Sequence, residues 1–117
     1  AHRNMQKIEA IIRPEKLDDV KDVLANAGFN GINIVHVTGR GVQKGIVHMG
    51  RGGETYTVDM LPKVKVEVVV KDDDCERVVK IICDAARTGN IGDGKIFLIP
   101  VTDAGRVRTG ERGDAAV

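Results

Sequence analysis

A glycine-rich turn followed by a lysine is the first feature of the sequence that could do chemistry. Residues 88–95 read Thr-Gly-Asn-Ile-Gly-Asp-Gly-Lys. Glycines let backbone N–H groups approach an anion closely, and Lys95 adds a positive point charge. The spacing differs from that of a Walker loop, and the turn follows a predicted helix instead of opening one. The alternative to an anion site is therefore a helix end followed by a plain turn.

Two arginines near the C-terminus could contribute to the same anion site. Arg106 and Arg108 are spaced i, i+2, and in an extended segment such side chains point in the same direction. Guanidinium groups bind phosphate and carboxylate oxygens through paired hydrogen bonds. We therefore expect the two arginines to converge on the anion held by the glycine turn. Solvated surface residues are the alternative interpretation.

Other patterns that carry catalysis or metal binding are missing from the sequence. The chain contains no serine, which excludes a serine nucleophile. His2, His36 and His48 have no metal-ligand spacing with cysteine or carboxylate residues, and His36 is expected to be structural. Cys75 and Cys83 lie in one predicted helix about 12 Å apart, too far for a disulfide. We expect both to be small buried hydrophobic residues of a reduced, cytoplasmic protein.

The composition is typical of one small domain with an aliphatic core. The chain has 117 residues, of which 42% are hydrophobic but only 3% aromatic. Its 18 basic and 17 acidic residues nearly cancel, and a net charge of +1 does not favour a nucleic-acid surface. No apolar run approaches the roughly 20 residues of a membrane span, and no signal peptide is visible. Residues 1–4 precede Met5, the expected natural start, so the single domain is placed at 5–117.

An internal repeat determines the expected fold. Residues 7–31 and 65–89 align without a gap, and each copy reads as a strand, a polar turn, a helix and a closing glycine. A further β-rich run follows each helix, at residues 32–38 and 95–101. With right-handed crossovers, the order βαββαβ predicts an α+β ferredoxin-like sandwich, in which an antiparallel four-stranded sheet carries two helices on one face. Apolar Ile11, Val35 and Val69 fall on the other face, which indicates that copies of the chain pack there.

The segment between the two halves, residues 39–59, is predicted to be a long loop. It holds six of the chain's 14 glycines. Loops longer than about 12–15 residues inside a compact domain are usually functional or disordered. Ordering such a segment costs on the order of 1 kcal/mol per residue in backbone entropy. We therefore expect this loop to be flexible unless a ligand or partner holds it, with a plain hairpin tip as the alternative.

Five separated motifs, in order, give the sequence a resemblance to a known family. They are KIEAIIRPEKLDDVK, GRGVQKG, VDMLPKVKVEVVV, ARTGNIGDGKIF and RVRTGERGDAA. Together they resemble the PII family of nitrogen-regulatory signal proteins, from Met5 to Val117, and GRGVQKG with LIPV is most similar to the GlnK-type members of archaea. The resemblance implies a non-catalytic regulator and a compact homotrimer whose sheets face inward.

The resemblance also implies three clefts between neighbouring subunits that bind ATP or ADP. The phosphates would lie on the glycine turn, with Arg106 and Arg108 reaching in from the adjacent subunit. Val42 stands where a basic residue is common, so one charged contact would be missing. The positions that match the nucleotide site are Ile11, Gly39, Val42, Gln43, Glu67, Val69, Gly92, Asp93, Gly94, Lys95, Arg106 and Arg108.

A second implied ligand is 2-oxoglutarate, bound at the base of the loop through Mg²⁺ that the ATP phosphates hold. Gln43 matches the metal-coordinating glutamine, and Lys63 is expected to pair with one carboxylate. The two nucleotide states would favour different loop conformations by a population shift. The positions that match this site are Gly41, Gln43, Lys44, Gly45, Lys63, Ile91 and Gly92.

The loop tip is the part that the resemblance assigns to partner proteins. In GlnK-type members it enters and plugs the membrane ammonium transporter, which predicts a cytoplasmic protein recruited to the membrane by its partner. Arg51 is the residue expected in the pore. Tyr56 matches a tyrosine that some bacteria uridylylate, but Gly50 replaces a common tyrosine and residues 50–57 contain one extra residue, so the modification is not carried over. Glutamine synthetase and other nitrogen enzymes are further candidate partners.

Two other function classes share this topology. An acylphosphatase-like enzyme also holds phosphate with an arginine near a turn, and an acyl-phosphate turnover assay would distinguish it. A nucleic-acid-binding module would place exposed aromatic residues on the central strands, where Phe97 alone is available.

Overall fold

Four strands and two helices follow one another in the order that the sequence repeat predicts. The computed structural model describes residues 4–49 and 55–117, and for 39–49 and 55–61 it describes the backbone alone. The elements are β1 (Met5–Ile12), a 3₁₀ turn (Pro14–Lys16), α1 (Leu17–Asn26), β2 (Ile32–Met49), β3 (Thr55–Lys71), α2 (Asp72–Ala86), β4 (Gly94–Val101) and a second 3₁₀ turn (Gly113–Ala116). Among the described residues, no helix is long and apolar enough to cross a bilayer.

The strands form one antiparallel sheet in the order β2-β3-β1-β4. β1 therefore lies between β3 and β4, and its last residue, Ile12, is opposite Val64 on one side and Gly94 on the other. This topology confirms the predicted ferredoxin-like sandwich.

The core lies between one face of the sheet and the two helices. Strand residues at every second position are buried, as the alternating sequence pattern predicts. They pack with the apolar stripes of α1 and α2, which recur at helical spacing. The central members are Ile8, Ala10, Ile12, Val20, Leu24, Val64, Val66, Val68, Val70, Val78 and Ile82.

The opposite face of the sheet, called the open face below, is covered by no helix of the described chain. Ile11, Glu67 and Val69 lie on it, in the strand positions that alternate with the core residues. Val35, 40% exposed, and Phe97, 46% exposed, also belong to it. Apolar side chains left exposed in this way fit a surface that packs against a partner.

The segment expected to be a loop continues the sheet as a long hairpin. β2 and β3 remain paired from Gly39 opposite Leu61 to Gln43 opposite Thr57, and again at His48–Tyr56 and Met49–Thr55. β3 pairs with β1 only from Val64 onward, so residues 55–63 extend beyond the rest of the sheet by roughly 30 Å. Antiparallel pairing satisfies the backbone N–H and C=O groups of both strands, and it does so regardless of the glycine content that favoured a loop.

Gly94 allows β4 to begin next to the end of β1. Its φ is +108°, and a Cβ atom there would lie 1.7 Å from the Ile11 carbonyl oxygen. That distance is far shorter than any real contact, and the obstacle is backbone in the middle of the sheet. Gly89 also has a positive φ, +89°, but no atom lies within 4 Å of its would-be Cβ.

We predict that Gly94→Ala destabilises the fold much more than Gly89→Ala. The first change adds a backbone clash to an unfavourable φ and should lower the free energy of unfolding by about 3 kcal/mol or more. The second adds the φ penalty alone, about 1–2 kcal/mol. Urea denaturation of both variants at one protein concentration measures the difference, and equal losses would contradict the close approach.

Candidate functional site

The glycine turn, residues 87–93, joins α2 to β4 and is held by the carboxylate of Asp93. The carboxylate accepts hydrogen bonds from the backbone N–H groups of Thr88 at 2.9 Å and Gly89 at 2.8 Å. It also accepts from the Thr88 hydroxyl and, at 3.1 Å, from the Arg13 Nε. The Thr88 hydroxyl, followed by the two backbone N–H groups and Arg13, holds the pKa of Asp93 well below its usual range. Asp93 is thus ionised and engaged within the turn itself.

Two cations from the sheet bind the carbonyl oxygens of the turn. The Arg13 Nη2 donates to the Ile91 carbonyl at 2.9 Å, and the Lys63 ammonium donates to the Gly92 carbonyl. Lys63 comes from β3, opposite Val37 of β2, at the place where the hairpin leaves the sheet. The carbonyl oxygens of Ile91 and Gly92 are therefore each bound by a cationic side chain.

Two backbone donor groups of the turn remain open. The N–H groups of Ile91 and Gly92 find no acceptor within the described residues. The side chain of Lys95, directly after Gly94 in β4, is exposed and forms no hydrogen bond or ion pair with the part of the chain that is described. Because its Cα is paired with that of Ile11, Lys95 belongs to the open face. Unfilled backbone donors beside an unpaired ammonium form a favourable environment for an anion.

A cluster of four charged residues occupies the centre of the open face. The Lys7 ammonium lies 3.0 Å from Glu9 and 3.1 Å from Glu67, and the Lys65 ammonium lies 3.4 Å from Glu67 and 4.0 Å from Glu9. The hydrogen bond from Lys7 is the main cause of a lowered pKa at Glu67, and the bond to Glu9 is the main cause of a raised pKa at Lys7. The four charges neutralise one another, so this face combines apolar residues with a cluster of zero net charge.

Arg106 and Arg108 lie in a compact turn, so the expectation of an extended segment with parallel side chains was wrong. The Gly110 N–H donates to the Arg106 carbonyl at 2.8 Å, and the Arg106 N–H donates to the Glu111 carbonyl at 2.9 Å. These bonds fold residues 106–111 into a turn. The side chains of Arg106 and Arg108 therefore do not follow the alternation of a strand. The Arg106 guanidinium lies 3.9 Å from the Glu111 carboxylate.

Within one chain the arginines and the glycine turn are at opposite ends of the sheet. β4 begins at Gly94, opposite Ile12, and ends at Val101, opposite Met5, so about 23 Å of strand separates the two ends. Glu67, Val69 and Arg106 instead line a groove at the Met5 end together with Asn33. The predicted nucleotide residues therefore form two groups in a single chain, and the structure does not bring them together.

The remaining predicted residues lie on the hairpin. Gly39, Gly41, Val42 and Gln43 are in the paired part of β2, and Lys44 and Gly45 follow at the irregularity between Gln43 and His48. Tyr56 is in β3 opposite His48, whereas Arg51 and Gly50 lie outside the described residues. Across the described side chains, no three or more His, Cys, Asp or Glu residues come together as a metal site.

Arg13 is the site residue that sequence reasoning missed. Its neighbours in the turn are about 80 positions away along the chain, so neither motif nor spacing indicates the contact. The signal that could have found it is the predicted topology, because antiparallel pairing of β1 with β4 places the end of one strand beside the start of the other.

We predict that Asp93→Asn reduces the loss of stability in acid. Because the pKa of Asp93 is lower in the folded state, its ionised form stabilises the fold above the unfolded value of about 3.9, and this contribution is lost as the pH falls toward the folded value. The variant should be less stable than wild type at pH 7. The difference between their free energies of unfolding should become smaller at pH 2. Urea denaturation at both pH values measures this difference.

The matched control for this prediction is Asp22→Asn, which changes an exposed carboxylate of α1. Its stability should follow that of wild type at both pH values. A gap for Asp93→Asn that stays constant with pH would contradict the role given to the ionised carboxylate.

Comparison with known proteins gives matches over nearly the whole chain. The family described as Nitrogen regulatory protein P-II matches residues 5–111. A Nitrogen regulatory protein P-II of Cereibacter sphaeroides is 55% identical over 113 residues, covering 97% of this chain and 100% of that protein. Nitrogen regulatory protein P-II 1 of Methanothermobacter thermautotrophicus is 52% identical over 115 residues, covering 98% of this chain and 99% of that protein. These two relatives are thus similar to this chain to nearly the same degree.

The fold has a solved counterpart as well. The crystal structure of Arabidopsis thaliana PII bound to citrate is similar with a TM-score of 0.79 and 41% sequence identity. The match covers 98% of this chain and 94% of that chain. The similarity therefore includes both halves of the repeat and the hairpin between them.

Proposed function

Because the chain belongs to the nitrogen regulatory protein P-II family, we propose that it is a trimeric sensor of adenine nucleotides that regulates partner proteins. Family membership confirms the expectation of a regulator that is not an enzyme, and it argues against the acylphosphatase-like alternative. The observation that carries the nucleotide proposal is the glycine turn, where carbonyl oxygens are occupied by Arg13 and Lys63 while backbone donors and Lys95 remain open.

The proposed trimer accounts for the division of the site into two groups. In one chain the glycine turn and Arg106 are at opposite ends of β4, about 23 Å apart along the strand. A neighbouring copy could supply the second group, with Arg106 and Arg108 directed at the phosphates on the turn. The exposed apolar residues of the open face, such as Val35 and Phe97, support burial against other copies.

Each part of the proposed cleft has a physical role. The open N–H groups of the turn and the Lys95 ammonium would bind phosphate oxygens. Ile11 and Val69 offer apolar surface to the base, and Glu67, ionised by its contacts with Lys7 and Lys65, is an acceptor for nucleoside donors. On the hairpin, Gly39 permits a close approach, and the neutral Val42 leaves charge neutralisation to Lys95 and the arginines.

We predict that Lys95→Ala weakens ATP and ADP binding by about 10- to 100-fold. A hydrogen bond to a charged group contributes about 1.5–3 kcal/mol, and this ammonium has no competing partner in the described chain. Isothermal titration calorimetry gives the affinities. The matched control is Lys80→Ala, because Lys80 is exposed on α2 and paired with Asp84. Unchanged affinity in Lys95→Ala would overturn the assignment of the phosphate site.

We further propose that 2-oxoglutarate binds with Mg-ATP at the base of the hairpin. Gln43 would coordinate the Mg²⁺ that the ATP phosphates hold. The Lys63 ammonium has three N–H donors, one of which is on the Gly92 carbonyl, so the others can bind a carboxylate. Gly41, Lys44, Gly45, Ile91 and Gly92 would form the surroundings. That the solved Arabidopsis protein is bound to citrate supports a site for a small carboxylate in this family.

The partner that we propose for the hairpin tip is a membrane ammonium transporter. A paired hairpin extending roughly 30 Å from the sheet has the reach of a plug, and Arg51 would enter the pore with Tyr56 nearby. Glutamine synthetase and other nitrogen enzymes are alternative partners of the same tip. The protein would then be cytoplasmic and would bind the membrane only through its partner.

We predict that the two nucleotide states control membrane association in opposite directions. With membranes that contain the ammonium transporter, the protein should co-sediment in ADP and be released by Mg-ATP with 2-oxoglutarate. Gln43→Ala should still co-sediment in ADP but should not be released by 2-oxoglutarate, because the Mg²⁺ ligand is lost. Transporter-free membranes are the control. Release by 2-oxoglutarate in the absence of Mg-ATP would contradict the proposed metal link.

A further inference from the structure

We propose that Arg13 is a positioning residue for the nucleotide phosphates, which holds the glycine turn through Asp93 and the Ile91 carbonyl so that the open backbone N–H groups face an anion. The inference rests on the proposed nucleotide function and assigns a role to a residue outside the predicted site. It also changes the role of Asp93, whose carboxylate would organise the turn instead of contacting the ligand.

Two of the three guanidinium nitrogens of Arg13 donate to the turn. Nε donates to the Asp93 Oδ1 at 3.1 Å, and Nη2 donates to the Ile91 carbonyl at 2.9 Å. The Arg13 side chain is only 20% exposed in this position. A guanidinium can bridge two acceptors in fixed geometry, whereas a lysine ammonium is a point charge on a flexible chain. The contact therefore depends on arginine in particular and not only on positive charge.

The turn packs closely on the Arg13 guanidinium at Gly92. Gly92 has a φ of +102°, and a Cβ atom there would lie 3.2 Å from the Arg13 Nη2. The guanidinium thus lies directly against the turn, with Lys63 on the next carbonyl. These two cations fix the orientation of successive peptide groups, and the oxygens that would repel an anion are already bound.

Arg13 is positioned by the end of β1, which is a central strand of the sheet. Arg13 follows Ile12, which is 2% exposed and paired on both sides, with β3 and with β4. Pro14 comes next and starts a 3₁₀ turn. The turn, in contrast, follows a helix end and contains Gly89 and Gly92, both with positive φ. A glycine-containing turn is therefore held by a side chain that directly follows the central strand.

The experiment compares ADP affinity, by calorimetry, in Arg13→Lys, Arg13→Met, Asp93→Asn and the double variant Arg13→Met/Asp93→Asn. If Arg13 acts by positioning, lysine should fail to rescue, and both Arg13 variants should bind ADP about 10- to 100-fold more weakly than wild type. Asp93→Asn should show a similar loss, and the double variant should be little worse than either single one, because the residues act as one unit.

Two controls and one ligand-free measurement complete the design. Lys80→Met and Asp84→Asn remove the same charges from an exposed pair on α2 and should bind ADP like wild type. Hydrogen exchange of the Thr88 and Gly89 amides, followed by NMR without nucleotide, should become faster in Arg13→Met and in Asp93→Asn. Global unfolding is recognised separately, because it would speed exchange of the core strands as well.

The outcomes separate this proposal from the one on which it rests. Wild-type affinity in Arg13→Lys, or losses that add in the double variant, would show that Arg13 acts by charge or by direct contact and would overturn the positioning role. Failure of the wild-type protein to bind ADP would overturn the nucleotide function itself. Unchanged exchange of the Thr88 and Gly89 amides in Arg13→Met would overturn the structural link even where nucleotide binds normally.

Discussion

The pairing of β1 with both β3 and β4 is the constraint on which the candidate site depends. It places Ile12 opposite Val64 on one side and Gly94 on the other, so the end of β1 and the start of β4 lie beside the middle of β3. Arg13, the residue after β1, and Lys63 of β3 bind the carbonyl oxygens of the turn that leads into β4. A shift of one residue in either register would turn these side chains to the opposite face of the sheet. The geometry of the turn is therefore a consequence of the core, which fixes the register.

Charge pairing on the open face is compatible with its burial in the proposed trimer. Lys7 and Lys65 each contact both Glu9 and Glu67, so removal of water would leave no unpaired charge among the four. A buried charge without a partner is strongly unfavourable, whereas a paired cluster reduces that desolvation cost. Lys95, on the same face but outside the cluster, has no such partner in the described chain. An anion at the glycine turn would supply one.

The fold could be predicted from the sequence because both halves of the repeat carry clear periodicities. Alternating Val64, Val66, Val68 and Val70 are buried as expected, and the helical stripe with Val78 and Ile82 packs on them. The extent of the hairpin could not be predicted from the sequence. The glycine content of residues 39–59 favoured a loop, and the strand pairing depends on two segments that no local pattern connects. The arginine turn was missed for a related reason, since the bonds at Arg106 and Gly110 are set by local hydrogen bonding and not by alternation. The role of Arg13 follows only from strand register, which no single motif encodes.

The hairpin changes how the proposed signal would travel from ligand to partner. A flexible loop of 21 residues would have to be ordered, at a cost on the order of 1 kcal/mol per residue, each time that a ligand fixed it. Strand pairing already orders the backbone from Gly39 to Gln43 and from Thr57 to Leu61, so most of that entropy loss does not accompany ligand binding. A ligand then needs only to change the direction of the hairpin where it leaves the sheet. Lys63 lies at that point and binds the Gly92 carbonyl, so a carboxylate that competed for its ammonium would act on the turn and on the hairpin base together. In the proposed sensor, the nucleotide turn and the partner-binding tip are thus coupled through one side chain at the base of a paired hairpin.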